Sequence, residues 1–575
     1  MNRVYFHQKS DNADQISEYI LNVFQSDELY NTISFHKIQI NKYLPWEYRG
    51  ESIDFVYVPV FFENNNYLNY SGVEFALHWY FYLTQQKRPF SIVLLGVESQ
   101  LAFFKHCKYS NFIKSPNVHY IDYNYDVIKK EEMNIVPKLY SSEEYIKAIK
   151  EIQIKPPSSY RTHHSISNEW AIYRWANAIG ANDSNIDNII SRIEHQLYFR
   201  YLTVIYPVSN IKKITKEQLQ INGAKKYNIL YIDDEADKGW YEILRKILYD
   251  ENGFKFDYLG DELKSKTKDE IIKLSMSKVI NMDAAIVILD FRLHESDFGN
   301  DLNDVTGLKI LKKIKEYNPG IQVILFSATN KIWNLLELQN AGADGFILKE
   351  SPENNSNSLT RLTLTSLIST LQKCVIKNFL KNFFINQIDI QRKLNPRRKP
   401  QHEKPLPKEF VDEVLKWLQL SNDIFLLGEM NESKIASSFL FKFSVLENIS
   451  NRIIDVDNPI LVEKNENGAN KYRFQFRLSE KRLRSFKEDD NNPGFYRKTK
   501  TVFESYRNLP WNVKILNAID FITDEKLSEV QLTSSIKKRN DFIHANSTMG
   551  NKVDITIEDL IFLDDIIILG LNNIV

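Results

Sequence analysis

The chain has 575 residues, and at about 150 residues per domain that implies roughly three or four domains. Lys plus Arg and Asp plus Glu both total 74, so the formal charge is zero, which argues against a general polyanion binder with a wholly basic surface. Apolar residues at 43% exclude a disordered chain, and 35 Phe and 30 Tyr against 18 Gly point to large cores with few hinges.

Residues 1–130 alternate short apolar strands, RVYFH (3–7), DFVYVPVFF (54–62), FSIVLLG (90–96) and VHYIDY (118–123), with helical stretches such as VEFALHWYFYLTQQ (73–86). Continuous β-branched and aromatic runs separated by helices predict a parallel sheet buried on both faces. Residues 131–225 read as a helical connector, clearest at SNEWAIYRWANAI (167–179), where Trp170, Tyr173 and Trp175 form a broad apolar face. His163 and His164 precede that helix and fit a capping turn better than a phosphotransfer site. Residues 226–394 repeat the strand and helix alternation with YNILYID, AAIVILD, IQVILFS and GFILK as strands, followed by a long helical pattern over 359–394. NPRRKPQHEKPLPKE (395–409), with four prolines and a cluster of bases, reads as a linker. Residues 410–575 read as mostly helical, interrupted by a β-hairpin at PILVEKN and KYRFQFRLS.

Cys107 and Cys374 are too few and too far apart for a disulfide framework or a zinc site, and fit a reducing compartment. No apolar run follows Arg3, so no signal peptide is expected. The most apolar stretch, IFLDDIIILGL, is interrupted by Asp564 and Asp565, so no membrane span is expected either. The sequence therefore predicts a cytoplasmic protein.

The strands of the third piece end in a particular set of side chains. Asp233 and Asp234 end the first, Asp290 a central one, Ser327 the next and Lys349 the last. In a doubly wound sheet the carboxyl ends of the strands converge on one crevice. Three carboxylates gathered there repel each other and call for a cation, and all-oxygen ligands favour Mg²⁺. Such a site suits phosphoryl transfer onto a carboxylate, with the metal and the lysine holding the phosphoryl oxygens.

The motifs IDDE (232–235), LDFRL (289–293), FSAT (326–329) and GADGFILK (342–349) resemble, in order, those of the receiver domain of two-component response regulators. The resemblance implies that Asp290 is the phosphoacceptor. It implies that Asp233, Asp234, Asp290 and the backbone carbonyl of Arg292 hold Mg²⁺. It also implies that Ser327 and Lys349 bind the phosphoryl group, and that Phe346 is the aromatic whose rotamer reports the state. Two departures stand out: Glu350 follows the lysine where the family usually has proline, and an acidic insertion, HESDFGNDLNDVT (294–306), lengthens the segment before Gly307. That insertion reads as a lid, a docking surface or a loop.

The first piece can be laid over the third, with YSGVEFALHWYF (70–81) on VTGLKILKKIKE (305–316) and FSIVLLG on IQVILFS. The position of Asp290 then falls near Pro59 or Val60, and Gly96 replaces Ser327, as in a degenerate receiver that has lost its chemistry. A shared strand order is the test. At the other end, KKRNDFIHAN (537–546) places Arg539, Asn540 and His544 near the end of one helix, with the apolar helix IEDLIFLDDIIILGL (557–571) after it. This resembles the HEPN family of helical domains. The resemblance implies metal-independent RNA cleavage, with His544 as general base, Arg539 as phosphate clamp and the site completed across a homodimer. The alternative is that these residues make helix-terminal and packing contacts.

The expected fold is thus multidomain: two doubly wound receiver-like α/β domains, one degenerate, then a helical HEPN-like domain with a small hairpin. The expected function is a response regulator phosphorylated on Asp290 by a sensor histidine kinase or phosphotransfer protein, controlling an effector that acts on RNA. The alternatives are a non-catalytic adaptor, and a constitutive Mg²⁺ or nucleotide site with no phosphorelay.

Overall fold

The computed structural model describes residues 2–9, 15–36, 53–61, 70–156, 163–223, 227–298, 304–327, 339–352, 359–402, 405–426, 428–453, 460–464, 470–474, 485–489, 491–499, 511–523, 527–544 and 554–574. The first sheet contains β1 (Arg3–Lys9), β2 (Tyr30–His36), β3 (Phe55–Pro59), β4 (Ser91–Gly96) and β5 (Val118–Asp122). They run in the order β2-β1-β3-β4-β5, and every pairing is parallel. The run FVYVP of β3 is buried throughout, which is why it lacks the polar alternation of a one-sided strand. One face packs Tyr5, Tyr57, Val93 and Leu95 against α1 (Gln15–Ser26) and α4 (Tyr125–Glu132). The other packs Val4, Phe6, Val58 and Leu94 with α2 (Ser71–Gln85), α3 (Gln100–His106) and α5 (Ser142–Ile152).

The second sheet contains β6 (Asn228–Ile232), β7 (Lys255–Leu259), β8 (Ile286–Leu289), β9 (Gln322–Ser327) and β10 (Gly345–Leu348). Its order, β7-β6-β8-β9-β10, is again all parallel. Counted within each sheet, both orders are 2-1-3-4-5, the arrangement of flavodoxin-like doubly wound folds. The repeat expected from the sequence thus meets its own test. Its register is fixed by matching hydrogen bonds: Gly72 N donates to Val60 O at 3.1 Å, as Gly307 N donates to Phe291 O at 3.2 Å. In both copies a Cβ on the glycine would strike the strand end, Pro59 O in the first and Asp290 O in the second. Pro59, not Val60, is therefore the counterpart of Asp290.

Between the sheets lie α6 (His163–Ile179), α7 (Ser184–His195) and α8 (Leu197–Ile205). Val204 and Ile205 of α8 belong to the first domain's core, whereas Trp170, Ile172 and Trp175 of α6 belong to the second's. There α6 packs against α9 (Trp240–Arg245) and α12 (Leu359–Lys377), and Trp175 meets Trp240 edge-on with ring centroids 5.3 Å apart. The opposite face of the second sheet is covered by α10 (Lys268–Asn281) and α11 (Thr306–Tyr317), whose buried Leu308, Leu311 and Ile314 follow helical spacing.

The helical pattern expected over 359–394 forms α12 and α13 (Phe379–Arg397), joined through Asn378. The start of α13 is tied to the second domain. Lys381 Nζ donates to the Asp283 carboxylate at 2.6 Å, and Asn318 Nδ2 donates to Lys381 O at 3.0 Å. From there α13 enters a helical domain with α14 (Lys408–Asp423), α15 (Glu432–Ile453), α16 (Trp511–Ile522), α17 (Glu529–His544) and α18 (Ile557–Ile574), which share one apolar core. Leu406, inside the proline-rich segment, is buried in that core. The expected hairpin forms from β11 (Ile460–Lys464) and β12 (Asn470–Phe474), and a second, β13 (Ser485–Asp489) with β14 (Asn492–Thr499), follows it. No described helix is long and apolar enough to cross a membrane.

Candidate functional site

Tyr231 of β6 and Asp233 just past its end lie on one face, because side chains two apart along an extended strand point the same way. Asp233 and Asp234 follow its end, and Asp290 follows β8, its neighbour. The three carboxylates come together, with one oxygen from each within 4.8 Å of the others. They form the one group of potential cation ligands of this kind among the described residues. Asp233 and Asp290 are fully buried. Asp233 Oδ1 accepts from Glu235 N at 2.7 Å, and its Oδ2 accepts from the Tyr231 hydroxyl and from Lys349 Nζ at 2.6 Å. Asp290 Oδ1 accepts from Phe291 N at 2.7 Å, and its Oδ2 lies 3.6 Å from Lys349 Nζ.

Lys349 itself is buried, just past β10, its ammonium over the rings of Phe326 (5.0 Å) and Trp240 (5.5 Å). Burial opposes its charge, but Asp233 and Asp290 outweigh that and raise its pKa. One cation does not balance three carboxylates. Burial, reinforced by Asp233 and Asp290, pushes Asp234 up to about 8. Burial likewise lifts Asp290 to about 7, Lys349 opposing the rise and Asp233 adding to it. The buried Oδ1 of Asp234 has no hydrogen-bond partner. An all-oxygen donor set with surplus negative charge and an unanswered buried oxygen fits a hard divalent cation such as Mg²⁺.

Ser327 is buried at the end of β9, paired with Leu348. Phe346 lies on β10 opposite Leu325, half-buried against the α10 and α11 side. Arg292 stands two residues beyond Asp290 and is half-buried. Ala328 and Thr329, the rest of the FSAT motif, lie outside the described residues. In the acidic insertion, Asp297 turns inward: it accepts from Leu293 N, His294 N and the Thr306 hydroxyl, and pairs with Lys268 at 3.1 Å. It braces the loop and is not one of the clustered ligands. Sequence reasoning missed Tyr231 and Trp240, and noted Glu350 only as a departure after the lysine. The first was legible from its two-residue spacing to Asp233, whereas Trp240 reaches Lys349 only through the fold.

Among the described residues, the first domain holds no counterpart of this cluster. Tyr123 N donates to Gly96 O at 2.9 Å, just as Lys349 N donates to Ser327 O at 2.8 Å, so Tyr123 stands where the lysine would. The parallel registers of β1 and β6 place His7 at the position of Asp233. Tyr5 and Tyr123 join hydroxyls at 2.6 Å across the position of the missing carboxylates.

In the helical domain, Arg539 lies on α17. Its guanidinium stacks on Trp511 at 4.1 Å, and Nη2 donates to Glu447 Oε1 at 3.3 Å. Asn540 accepts from Arg539 Nη1 at 3.2 Å. His544 ends α17, and its side chain lies outside the described residues, as do those of His163 and His164.

Five parallel strands in the order 2-1-3-4-5, with three carboxylates, a hydroxyl and a buried lysine at one rim, define a receiver-like α/β domain. The first domain has the same strand order, without such an acidic cluster among the described residues. Among solved structures, the chain is similar to a CheY-like response regulator receiver domain protein from Methanospirillum hungatei JF-1, at 20% identity over 26% of this chain and 98% of that one, with a TM-score of 0.18. It is also similar to the receiver domain of NtrX from Brucella abortus, at 23% identity over 25% and 98%, with a TM-score of 0.17. A third is the CheX-CheY-BeF3-Mg²⁺ complex from Borrelia burgdorferi, at 21% identity over 24% and 88%, with a TM-score of 0.17. No protein-family model and no curated protein matches the chain.

Proposed function

We propose that the chain is a response regulator whose second receiver-like domain accepts a phosphoryl group on Asp290 from a sensor histidine kinase or phosphotransfer protein. The observation that carries this reading is the meeting of Asp233, Asp234 and Asp290 beside the buried Lys349 ammonium. A carboxylate oxygen of Asp290 attacks phosphorus, and the bond from phosphorus to the donor's nitrogen or oxygen breaks, its electron pair leaving with the donor. Lys349 and the Ser327 hydroxyl donate to the transferred oxygens, where charge is concentrated in the transition state. Mg²⁺, held by the three aspartates and the carbonyl of Arg292, would supply the positive charge that keeps these carboxylates ionised.

The first domain, with Pro59 and Tyr123 in place of acceptor and lysine, serves packing or partner binding. The output passes along α12 and α13, which leave the receiver-like domain and enter the helical core. We read that helical domain as HEPN-like. Its Arg539, Asn540 and His544 would act on RNA in a homodimer. A second reading, that it is an adaptor binding a partner without cleaving, is favoured by Arg539, whose charge is answered within the chain by Glu447 and Trp511.

The test is labelling by a small phosphodonor with and without Mg²⁺, followed by intact-mass measurement. Labelling that requires Mg²⁺ and disappears in Asp290→Ala is expected. Full labelling of that variant would remove the reading.

A further inference from the structure

Glu350, where the family usually has proline, is 1% exposed, and a carboxylate that deep requires partners. Two of them lie far away in the chain, and the third is only ten residues on. Arg174 Nε donates to Oε2 at 2.9 Å, and Trp175 Nε1 donates to Oε1 at 2.9 Å, both from α6; the Thr360 hydroxyl of α12 donates to Oε2 at 2.9 Å. Arg174 is itself fully buried, and its Nη1 donates to Tyr206 O at 3.2 Å, just past α8. The same helix reaches the other side of the acidic site. Asn168 donates to Glu235, whose backbone N–H is the donor to Asp233 Oδ1, and Asn168 also accepts from Trp240 Nε1 at 3.2 Å.

We propose that α6 is a working part of the receiver-like site, and that Arg174 is a positioning residue that holds Lys349 over Asp233 and Asp290 by fixing its neighbour Glu350. The backbone link from 349 to 350 leaves the lysine little freedom once the Glu350 carboxylate is held at both oxygens. The connector is then not a spacer between two receiver-like domains. It supplies an anchor at the position where the family usually has proline, and Tyr206 joins that anchor to the helix whose Val204 and Ile205 lie in the first domain's core. The functional consequence rests on the phosphoacceptor reading above, but the positioning does not.

The experiment uses the full chain and two readouts. The first is the rate at which an amine-acylating reagent modifies Lys349, read by peptide mass spectrometry beside Lys315 and Lys442 as internal controls. Lys349 is expected to react faster in Arg174→Met. The charge-free double variant Arg174→Met/Glu350→Met, which leaves no unpaired buried ion, is expected to do the same. In Arg174→Lys the protection is expected to return, and the control lysines should not change. The second is phosphodonor labelling, expected to fall about 10-fold or more in Arg174→Met, the usual cost of losing an outer partner of a site, with Mg²⁺ affinity unchanged. Wild-type reactivity of Lys349 in both methionine variants would overturn the proposal. So would an equal rise at all three lysines, which would mean that Arg174 only holds the fold. A wild type that takes no label would overturn the phosphoacceptor reading instead, and lysine reactivity alone would then decide the positioning.

Discussion

Replacing Asp234 with asparagine should stabilise the second domain in the absence of divalent cations, and the gain should depend on pH. Asp234 sits at about 8 instead of its ordinary 3.8, because burial and the neighbouring Asp233 and Asp290 penalise its charge. A folded-state value above the unfolded one means that this group costs nothing below pH 4. The cost grows as pH rises toward the folded value and is constant beyond it. At about 1.4 kcal/mol for each tenfold change, the wild type would lose roughly 4 kcal/mol by pH 7. The asparagine amide is itself largely buried and offsets part of that relief, so a gain of about 2–4 kcal/mol is expected at pH 7, shrinking to about 1–2 at pH 5. Hydrogen exchange of the β6 and β8 amides, compared between variant and wild type at each pH in EDTA, reads this local stability directly. Adding Mg²⁺ should protect the wild type and do less for the variant. Equal protection of the two proteins at pH 7, or a gap of the same size at pH 5, would refute the account of the acidic cluster.

Two further outcomes concern the helical domain. Lys442 is fully buried, paired with Asp564, and Asn386 of α13 donates to the same carboxylate at 2.7 Å. Lys442→Met should therefore destabilise this domain by about 3–5 kcal/mol, while Lys442→Met/Asp564→Leu should return most of it in a denaturant titration. If the domain cleaves RNA, His544→Ala should abolish cleavage by phosphorylated protein without changing its dimerisation. RNA left intact by wild type and variant alike would favour the adaptor reading.

The sheets were legible where burial on both faces wrote continuous apolar runs, as in IVIL of β8 and SIVLLG of β4. The strands β2 (YNTISFH) and β7 (KFDYL) were not, because each lies at the edge of its sheet and mixes polar with apolar residues, which blurs the signal. The acidic cluster was legible because each member closes a strand, and strand ends of a doubly wound sheet share one rim. Pro59 could be told from Val60 only once the Gly72 and Gly307 hydrogen bonds set the register. Glu350 read as a departure of unknown effect, since its partner Arg174 lies 176 residues away and no local pattern announces a buried ion pair. Asp297 was invisible for a related reason: an acidic loop in sequence looks solvated until its backbone turns inward and donates to it.

The central claim is that Asp290 itself receives the phosphoryl group. After treatment with a small phosphodonor and Mg²⁺, borohydride reduction converts an aspartyl phosphate to homoserine, which peptide mass spectrometry locates to one residue. The account predicts conversion at position 290 and none in protein treated without Mg²⁺. Conversion at Asp233 or Asp234, or a stable phosphate on a hydroxyl residue with Asp290 unmodified, would contradict it.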